Sequence, residues 1–309
     1  MREKTDLLLK KALAFHASGN LGEAAKIYKD LLKKQENDPE VLHLLGTVLV
    51  EAGLAKQAIP ILNKAITFGG PNWGTLYNYG LALSALGKLV EASRAFKNAV
   101  EANPDFQDCW FNLGRTYQLL QNYSEAIKVF KRARKLKVDD PRIFLALGNI
   151  YFVKGKFDIA IAEFEGALKL DASNNEAQNN LGIALRKSGE LSKAEKIFQT
   201  MLITSPTNPA VHNNLGLVQV DLGNSKDAKR HYLNALKYEP SYSEVSLNLA
   251  DLYLKEAKFK ESLSTIEQAM KFRPDIAELS TKLAIISQKQ GRFKDGLLIL
   301  SKINDKNKD

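Results

Sequence analysis

Small and large apolar residues alternate along the chain with a period of 34 residues, beginning at Thr5. A glycine or alanine recurs at the eighth position of every period, and a second small residue follows it after twelve residues. A large apolar residue stands four residues beyond that second small residue, a spacing that places both on one helical face. Each period is therefore predicted to form two amphipathic helices.

Two columns of this pattern define the expected contacts between the helices. The first small column contains Ala12, Gly46, Gly80, Gly114, Gly148, Gly182, Gly216, Ala250 and Ala284. The large column contains Tyr28, Leu62, Phe96, Phe130, Phe164, Phe198, Tyr232, Ile266 and Leu300. We expect the small residues to let the paired helices approach closely, and the large side chains to fill the gap to the next repeat.

A helix stop is predicted between the two helices of most repeats. Seven repeats carry a glycine seven residues after the first small column, and glycine readily adopts the left-handed backbone that ends a helix. The exceptions are Gln121-Asn122, where we expect Asn122 to adopt this conformation, and Ala257. Eight of the nine prolines lie around the boundaries between periods, so each period is predicted to be helix, turn, helix and break.

This pattern resembles the tetratricopeptide repeat (TPR) family. The fourth repeat carries most of the residues typical of that family, namely Trp110, Leu113, Gly114, Tyr117, Ala126 and Phe130. The resemblance implies an all-α, right-handed superhelical solenoid of nine helix-turn-helix repeats whose first helices line an inner groove. The predicted domains are a leader at residues 1–4 and a single solenoid at residues 5–309, with repeats beginning at residues 5, 39, 73, 107, 141, 175, 209, 243 and 277.

The composition is that of a soluble folded protein, with 45% apolar and 26% charged residues. The longest weakly charged apolar run, residues 41–50, is about half of the roughly 20 residues that a membrane helix needs, so no membrane insertion is expected. Because the N-terminus lacks a secretory cleavage pattern and Cys109 is the single cysteine, we expect a cytoplasmic location.

The formal net charge of +9 raises the question of nucleic acid binding. The densest basic run, residues 128–137, is predicted to lie on a second helix, and the charge of the other repeats is interrupted. An electrostatic footprint for nucleic acid requires a continuous basic stripe. We therefore expect a solvated outer face here and no nucleic acid partner.

No catalytic, metal or cofactor site is predicted. The four histidines lack the spacing of metal ligands, and no Ser/His/Asp, Cys/His or paired-carboxylate arrangement stands apart from the repeat pattern. The segments 80–88 and 148–156 resemble phosphate-binding loops, but six residues separate their glycines and no Ser or Thr follows the lysine. We expect a chain that is not an enzyme and that uses no cofactor.

An asparagine recurs two residues before the first small column, although asparagine is a mediocre helix former. This asparagine row consists of Asn78, Asn112, Asn180, Asn214 and Asn248. Because a neutral amide both donates and accepts hydrogen bonds, such a row can hold an extended peptide backbone with little regard for its sequence. The flanking candidates for peptide contact are Tyr77, Phe111, Asn179 and Asn213, which precede the row, and Arg115 and Asn149, which lie one turn further. The alternative is that the amides only bridge neighbouring helices.

The asparagine row resembles the ladder in the repeat region of O-linked N-acetylglucosamine transferases, which grips extended acceptor polypeptides. The sequence contains no counterpart of their catalytic domain. The carboxylate clamp of certain cochaperones is a weaker match. Asn149 and Asn180 correspond to its amides, but Leu145, Ala210 and Asn214 stand where its cations belong, so we do not expect that clamp.

These observations predict a non-enzymatic protein–protein interaction scaffold that binds an extended polypeptide segment in its groove. Two alternatives remain at this point: the substrate-selecting arm of a larger glycosyltransferase or sulfotransferase, and an assembly factor that oligomerises. Self-association would use the apolar run Leu297, Leu298, Ile299 and Leu300, which could equally be the stump of a longer protein or a frayed last helix. We expect a monomer or a weak homo-oligomer, and a protein or extended peptide as the partner.

Overall fold

The structure, a computed structural model, describes residues 2–136, 139–294 and 296, with backbone alone at residues 2–4. Within these ranges every regular element longer than one turn is an α-helix. The helices are α1 (Arg2–Ala17), α2 (Leu21–Leu32), α3 (Pro39–Glu51), α4 (Ala55–Gly69), α5 (Trp73–Ala85), α6 (Leu89–Ala102), α7 (Gln107–Leu119), α8 (Tyr123–Leu136), α9 (Pro141–Val153), α10 (Phe157–Leu170), α11 (Asn175–Ser188), α12 (Leu191–Thr204), α13 (Pro209–Asp221), α14 (Ser225–Tyr238), α15 (Ser243–Lys255), α16 (Phe259–Phe272) and α17 (Ala277–Lys289). The predicted all-α repeat solenoid is confirmed.

The helices follow the predicted repeats, with two helices in each of the first eight and α17 as the first helix of the ninth. In the pairs α5/α6 and α13/α14 the two helices of one repeat pack together, and α6 and α14 also pack against the first helix of the next repeat. The chain divides into two compact units, an N-terminal unit, Met1–Ile150, and a C-terminal unit, Tyr151–Asp309. Helix α1 begins at Arg2.

The first small column packs against the large column of the same repeat. A Cβ atom added to Gly216 would lie 2.4 Å from Cε1 of Tyr232, and one added to Gly182 would lie 2.5 Å from Cζ of Phe198. Tyr232 is 1% exposed and Phe198 is fully buried. These side chains contact their own first helix, because the turn folds the second helix back onto it. Tyr232 also packs with Val245 and Leu249 of the next repeat, so it fills the gap to that repeat as expected. Glycine is therefore required at positions 182 and 216, because the ring on the second helix packs directly against the backbone of the first helix.

The turns between paired helices use the left-handed backbone. The predicted stop glycines all have positive φ: Gly19, Gly53, Gly87, Gly155, Gly189, Gly223 and Gly291. Ala257 adopts the same conformation, with φ 57°. The prediction for Asn122 was wrong, since Gln121 adopts φ 57° in that repeat. In these turns the left-handed residue is the one seven positions after the first small column, whatever its type.

Replacing Gly216 with alanine tests the contact with Tyr232. The added methyl group overlaps the ring, so we expect the free energy of unfolding of the C-terminal unit to fall by about 1–3 kcal/mol. Thermal unfolding followed by circular dichroism measures the change. The matched control is Gly22→Ala, since Gly22 lies in α2 with no atom within 4 Å of an added Cβ, and there alanine should stabilise by about 0.5–1 kcal/mol. A neutral or stabilising Gly216→Ala would contradict the packing described here.

Candidate functional site

The asparagine row of the C-terminal unit lies on the first helices of three successive repeats. Asn180 is on α11, Asn214 on α13 and Asn248 on α15, and all three are half-buried. Nδ2 of Asn214 donates to Oδ1 of Asn179 at 2.9 Å, and Nδ2 of Asn248 donates to Oδ1 of Asn213 at 3.0 Å. Each donating amide therefore reaches the residue that precedes the row in the previous repeat. The row joins successive repeats along the unit.

The carboxylate of Glu244 fixes the orientation of the Asn213 amide. Nδ2 of Asn213 donates to Oε1 of Glu244 at 3.3 Å, and the ionised carboxylate can only accept. Oδ1 of Asn213 must then face Asn248, which donates to it. The Oδ1 atoms of Asn214 and Asn248 accept no hydrogen bond from the part of the chain that the structure describes. The network thus uses the donors of these two amides and leaves their acceptors unused.

Asn213 lies under the row. It is 3% exposed, and its amide bonds to Asn248 and to Glu244. Asn179 is half-buried and donates from Nδ2 to Oδ1 of Asn180 at 3.3 Å. These contacts make Asn213 a positioning residue for Asn248, whereas Asn179 lies close enough to the surface to contact a ligand as well.

A cavity opens beside Asn248. Its volume is about 430 Å³. The lining consists of Leu217 and Val220 from α13, Leu252 and Leu254 from α15, the ring of Tyr232, and the polar residues Asn248, Asp251 and Lys255. Asp251 accepts a 2.6 Å hydrogen bond from Lys282, which occupies the row position in the ninth repeat. The cavity therefore combines an apolar lining with a row amide and a paired carboxylate at its edge.

The N-terminal unit shows the same inter-repeat bonding with different acceptors. Nδ2 of Asn112 donates to the hydroxyl oxygen of Tyr77 at 3.2 Å, and Nδ2 of Asn78 donates to Oγ1 of Thr47 at 2.8 Å. The ring of Tyr77 also packs edge-on against Phe106 at a centroid distance of 4.8 Å. Burial, reinforced by the charge of nearby Asp108, raises the pKa of Tyr77 to about 12, so its hydroxyl stays protonated. Tyr77 is primarily an acceptor that holds Asn112.

Phe111 lies under an arginine that the sequence did not single out. The guanidinium of Arg142 lies 4.6 Å from the centre of the Phe111 ring. It also forms ion pairs with Asp140 at 2.7 Å and Asp108 at 2.8 Å. Hydrogen bonds to these two carboxylates raise the pKa of Arg142, so the side chain is permanently charged. Phe111 is thereby half-buried beneath a fixed cation. The contact between Arg142 and Phe111 joins the fourth and fifth repeats.

The remaining predicted residues differ in exposure. Arg115 is exposed and has no ion pair or hydrogen bond among the described residues. Asn149 is half-buried on α9. The predicted self-association residues Leu297, Leu298, Ile299 and Leu300 lie outside the described residues.

Comparison with known proteins decides the family. Two family models described as tetratricopeptide repeat match the chain, one at residues 145–209 and the other at residues 15–68, 83–150 and 219–283. These matches cover well over half of the chain. The chain belongs to the tetratricopeptide repeat family. No curated protein matches the TPR chain.

Solved structures show the same TPR fold. A tetratricopeptide repeat protein from Parabacteroides merdae ATCC 43184 is 18% identical, with a TM-score of 0.57, over 82% of this chain and 99% of that one. MamA is 26% identical, with a TM-score of 0.52, over 56% of this chain and 94% of its own. YrrB, described as a TPR protein with an unusual peptide-binding site, is 21% identical, with a TM-score of 0.54, over 64% and 97% of the two chains.

Sequence reasoning missed the residues that hold the asparagine row and its flanking residues in place in this TPR chain. Glu244, Thr47 and Arg142 are the bonding partners or neighbours of row and flanking residues, and each stands in a repeat next to the residue that it contacts. The signal that could have revealed Glu244 is its separation of 31 residues from Asn213, which also separates Asn78 from Thr47 and Lys282 from Asp251.

No helix in the described ranges is long and apolar enough to cross a membrane.

Replacing Asn213 with alanine tests its role in positioning Asn248. Because Asn248 and Glu244 each lose a partner, we expect the free energy of unfolding to fall by about 1–2 kcal/mol. Thermal unfolding provides the measurement. Asn234→Ala is the matched control, since Asn234 lies on the second helix of the same repeat and makes no side-chain hydrogen bond with the described residues; it should leave stability unchanged or slightly raised. Equal effects of the two substitutions would show that the network contributes nothing.

Proposed function

We propose that this TPR chain is a non-catalytic interaction protein that binds an extended peptide along the asparagine row of its C-terminal unit. TPR proteins are in general non-catalytic interaction modules, and this coarser statement follows from membership of the family. YrrB, which shares the fold, is described as having a peptide-binding site. The finer proposal depends on the amides themselves.

The unused acceptors of the row carry the proposal. Asn214 and Asn248 are half-buried, they are held by donor bonds to the previous repeat, and their Oδ1 atoms accept no hydrogen bond within the described ranges. A peptide N–H can supply the missing donor. The second hydrogen of each Nδ2 group can donate in turn to a peptide carbonyl oxygen. Because the bridging bonds hold the amides in place before a peptide arrives, less side-chain entropy is lost on binding.

The cavity beside Asn248 supplies selectivity. An amide row recognises any backbone, but a lining of Leu217, Val220, Leu252 and Leu254 favours a peptide with an apolar side chain near the residue bound by Asn248. At about 430 Å³ the cavity is at the small end of ligand sites, which range over roughly 300–1,000 Å³. It is therefore suited to one or two side chains of a longer segment.

Backbone recognition can be tested without altering the protein. A phage-displayed library of random dodecapeptides supplies a binding peptide, and fluorescence anisotropy measures its dissociation constant. Methylation of single backbone nitrogens should weaken binding roughly tenfold at the positions whose N–H groups meet the row, about 1.4 kcal/mol each. Alanine substitutions in the peptide should have little effect except at one apolar residue. Uniform tolerance of N-methylation would contradict binding through the backbone.

A triple substitution locates the binding surface on the chain. Replacing Asn180, Asn214 and Asn248 with alanine should weaken the same peptide by at least roughly a hundredfold. The matched control replaces Asn63, Asn98 and Asn234, three asparagines on second helices, and should leave the affinity unchanged. If the triple row variant melts at a lower temperature and still binds with full affinity, the row has only a bridging role.

A further inference from the structure

A second cavity lies in the N-terminal unit, away from the asparagine row. Its volume is about 300 Å³, and α6, α7 and α8 all contribute to its walls. The floor is apolar, since the lining side chains of Val100, Leu113 and Val129 are 3%, 2% and 7% exposed. Such a floor stabilises an apolar group that leaves water, and the small volume admits only one or two side chains.

This cavity and the row residues lie on opposite faces of α7. Trp110, Leu113 and Tyr117 line the cavity and share one helical face, because they are three and four residues apart. Asn112 and Arg115 lie about half a turn around the helix from that face. A ligand in this cavity therefore does not compete with one that contacts Asn112.

The aromatic wall of the cavity is fixed and has a cation beside it. Nε1 of Trp110 donates to the carbonyl oxygen of Pro104 at 2.8 Å, which holds the indole in one orientation. The guanidinium of Arg132 lies 6.0 Å from the centre of that ring. The hydroxyl of Tyr117 makes no hydrogen bond with any residue in the described ranges. The mouth thus presents a charged donor and a neutral donor above an apolar floor.

The surface next to the cavity carries surplus positive charge. From Ala126 to Leu136, α8 contains no acidic residue. Lys128 is paired with Glu125 at 2.6 Å, but Lys131, Arg132 and Lys135 have no ion pair in the part of the chain that the structure describes. Unpaired cations next to an apolar cavity favour a partner that combines acidic and apolar residues, since complementary charge aids both association and specificity.

We propose that this cavity docks an acidic segment of a partner protein, which inserts one apolar side chain between Trp110 and Tyr117 and places carboxylates against Arg132 and Lys135. Nucleic acid fits the site less well. The carboxylates of Glu101 and Glu125, which are paired with Lys97 and Lys128, interrupt the basic surface that a phosphate backbone would follow. A stacking site for bases also needs an uninterrupted basic groove along the strand.

Tryptophan fluorescence can observe this cavity alone. Trp73 and Trp110 are the two tryptophans of the chain, so the Trp73→Phe protein reports on Trp110. The probe is a synthetic peptide, Glu-Asp-Glu-Leu-Phe-Asp-Glu-Glu. Its addition should shift the emission of Trp110 to shorter wavelength, because one apolar side chain of the Leu-Phe pair displaces water from the indole. A peptide with Ser-Ser in place of Leu-Phe should produce no shift.

Charge reversal with a matched control identifies the surface. Arg132→Glu combined with Lys135→Glu should weaken the peptide at least roughly tenfold, measured by fluorescence anisotropy at low salt. Lys64 and Lys169 stand at the corresponding positions of other repeats, so Lys64→Glu combined with Lys169→Glu changes the net charge equally and should alter the affinity less than about twofold. Circular dichroism confirms that both proteins fold.

Three results would overturn the proposal. The first is an unchanged emission spectrum of Trp110 at saturating peptide. The second is equal loss of affinity in the two charge-reversed proteins, which would show a non-specific effect of net charge. The third is displacement of the peptide by single-stranded oligothymidylate at lower concentration than by unlabelled peptide, which would assign the basic surface to nucleic acid.

Discussion

The contact between the small residue of a first helix and the large apolar side chain of the second helix that follows sets the geometry on which the rest depends, in the repeats whose two helices the structure describes. In the seventh repeat the ring of Tyr232 lies against the backbone at Gly216, where even a Cβ atom would overlap it. Where the small residue is Ala250, the large residue of that repeat is Ile266, and Ser262 donates to the carbonyl oxygen of Ala250 at 2.9 Å. The close approach is thus preserved in that repeat with a different set of side chains.

Close packing within repeats leaves the opposite face of the first helix free to contact a neighbouring repeat. The asparagine row occupies this face, and its bonds from Asn214 to Asn179 and from Asn248 to Asn213 have one direction along the C-terminal unit. Bridging and ligand binding, which the sequence presents as alternatives, are compatible because they use different atoms of the same amide. The bridge uses Nδ2, and Oδ1 is left for a ligand. The stability of the array and its proposed function therefore depend on one set of side chains.

The period, the two columns and the stop glycines could be predicted from the sequence, because each is a contact or a conformation within one repeat. Gly182 with Phe198 is an example, with a fixed separation along the chain. Interactions between repeats could not be predicted from the sequence, because they depend on which rotamer and which neighbouring residue complete a hydrogen bond. The burial of Asn213 beneath Asn248 and its bond to Glu244 follow from that packing. Position within the turn also outweighed residue preference, since Gln121 adopts the left-handed backbone next to Asn122.

The central claim is that the same amides bridge repeats and accept hydrogen bonds from a peptide backbone. Nuclear magnetic resonance of protein labelled with ¹³C and ¹⁵N at asparagine tests it most directly, because the Cγ and Nδ2 resonances of one side chain report separately on acceptor and donor. On addition of a bound peptide, we expect the Cγ resonances of Asn214 and Asn248 to move, while their Nδ2 protons stay protected from exchange with water. Unchanged Cγ resonances at full occupancy of the peptide, or loss of Nδ2 protection, would contradict the account.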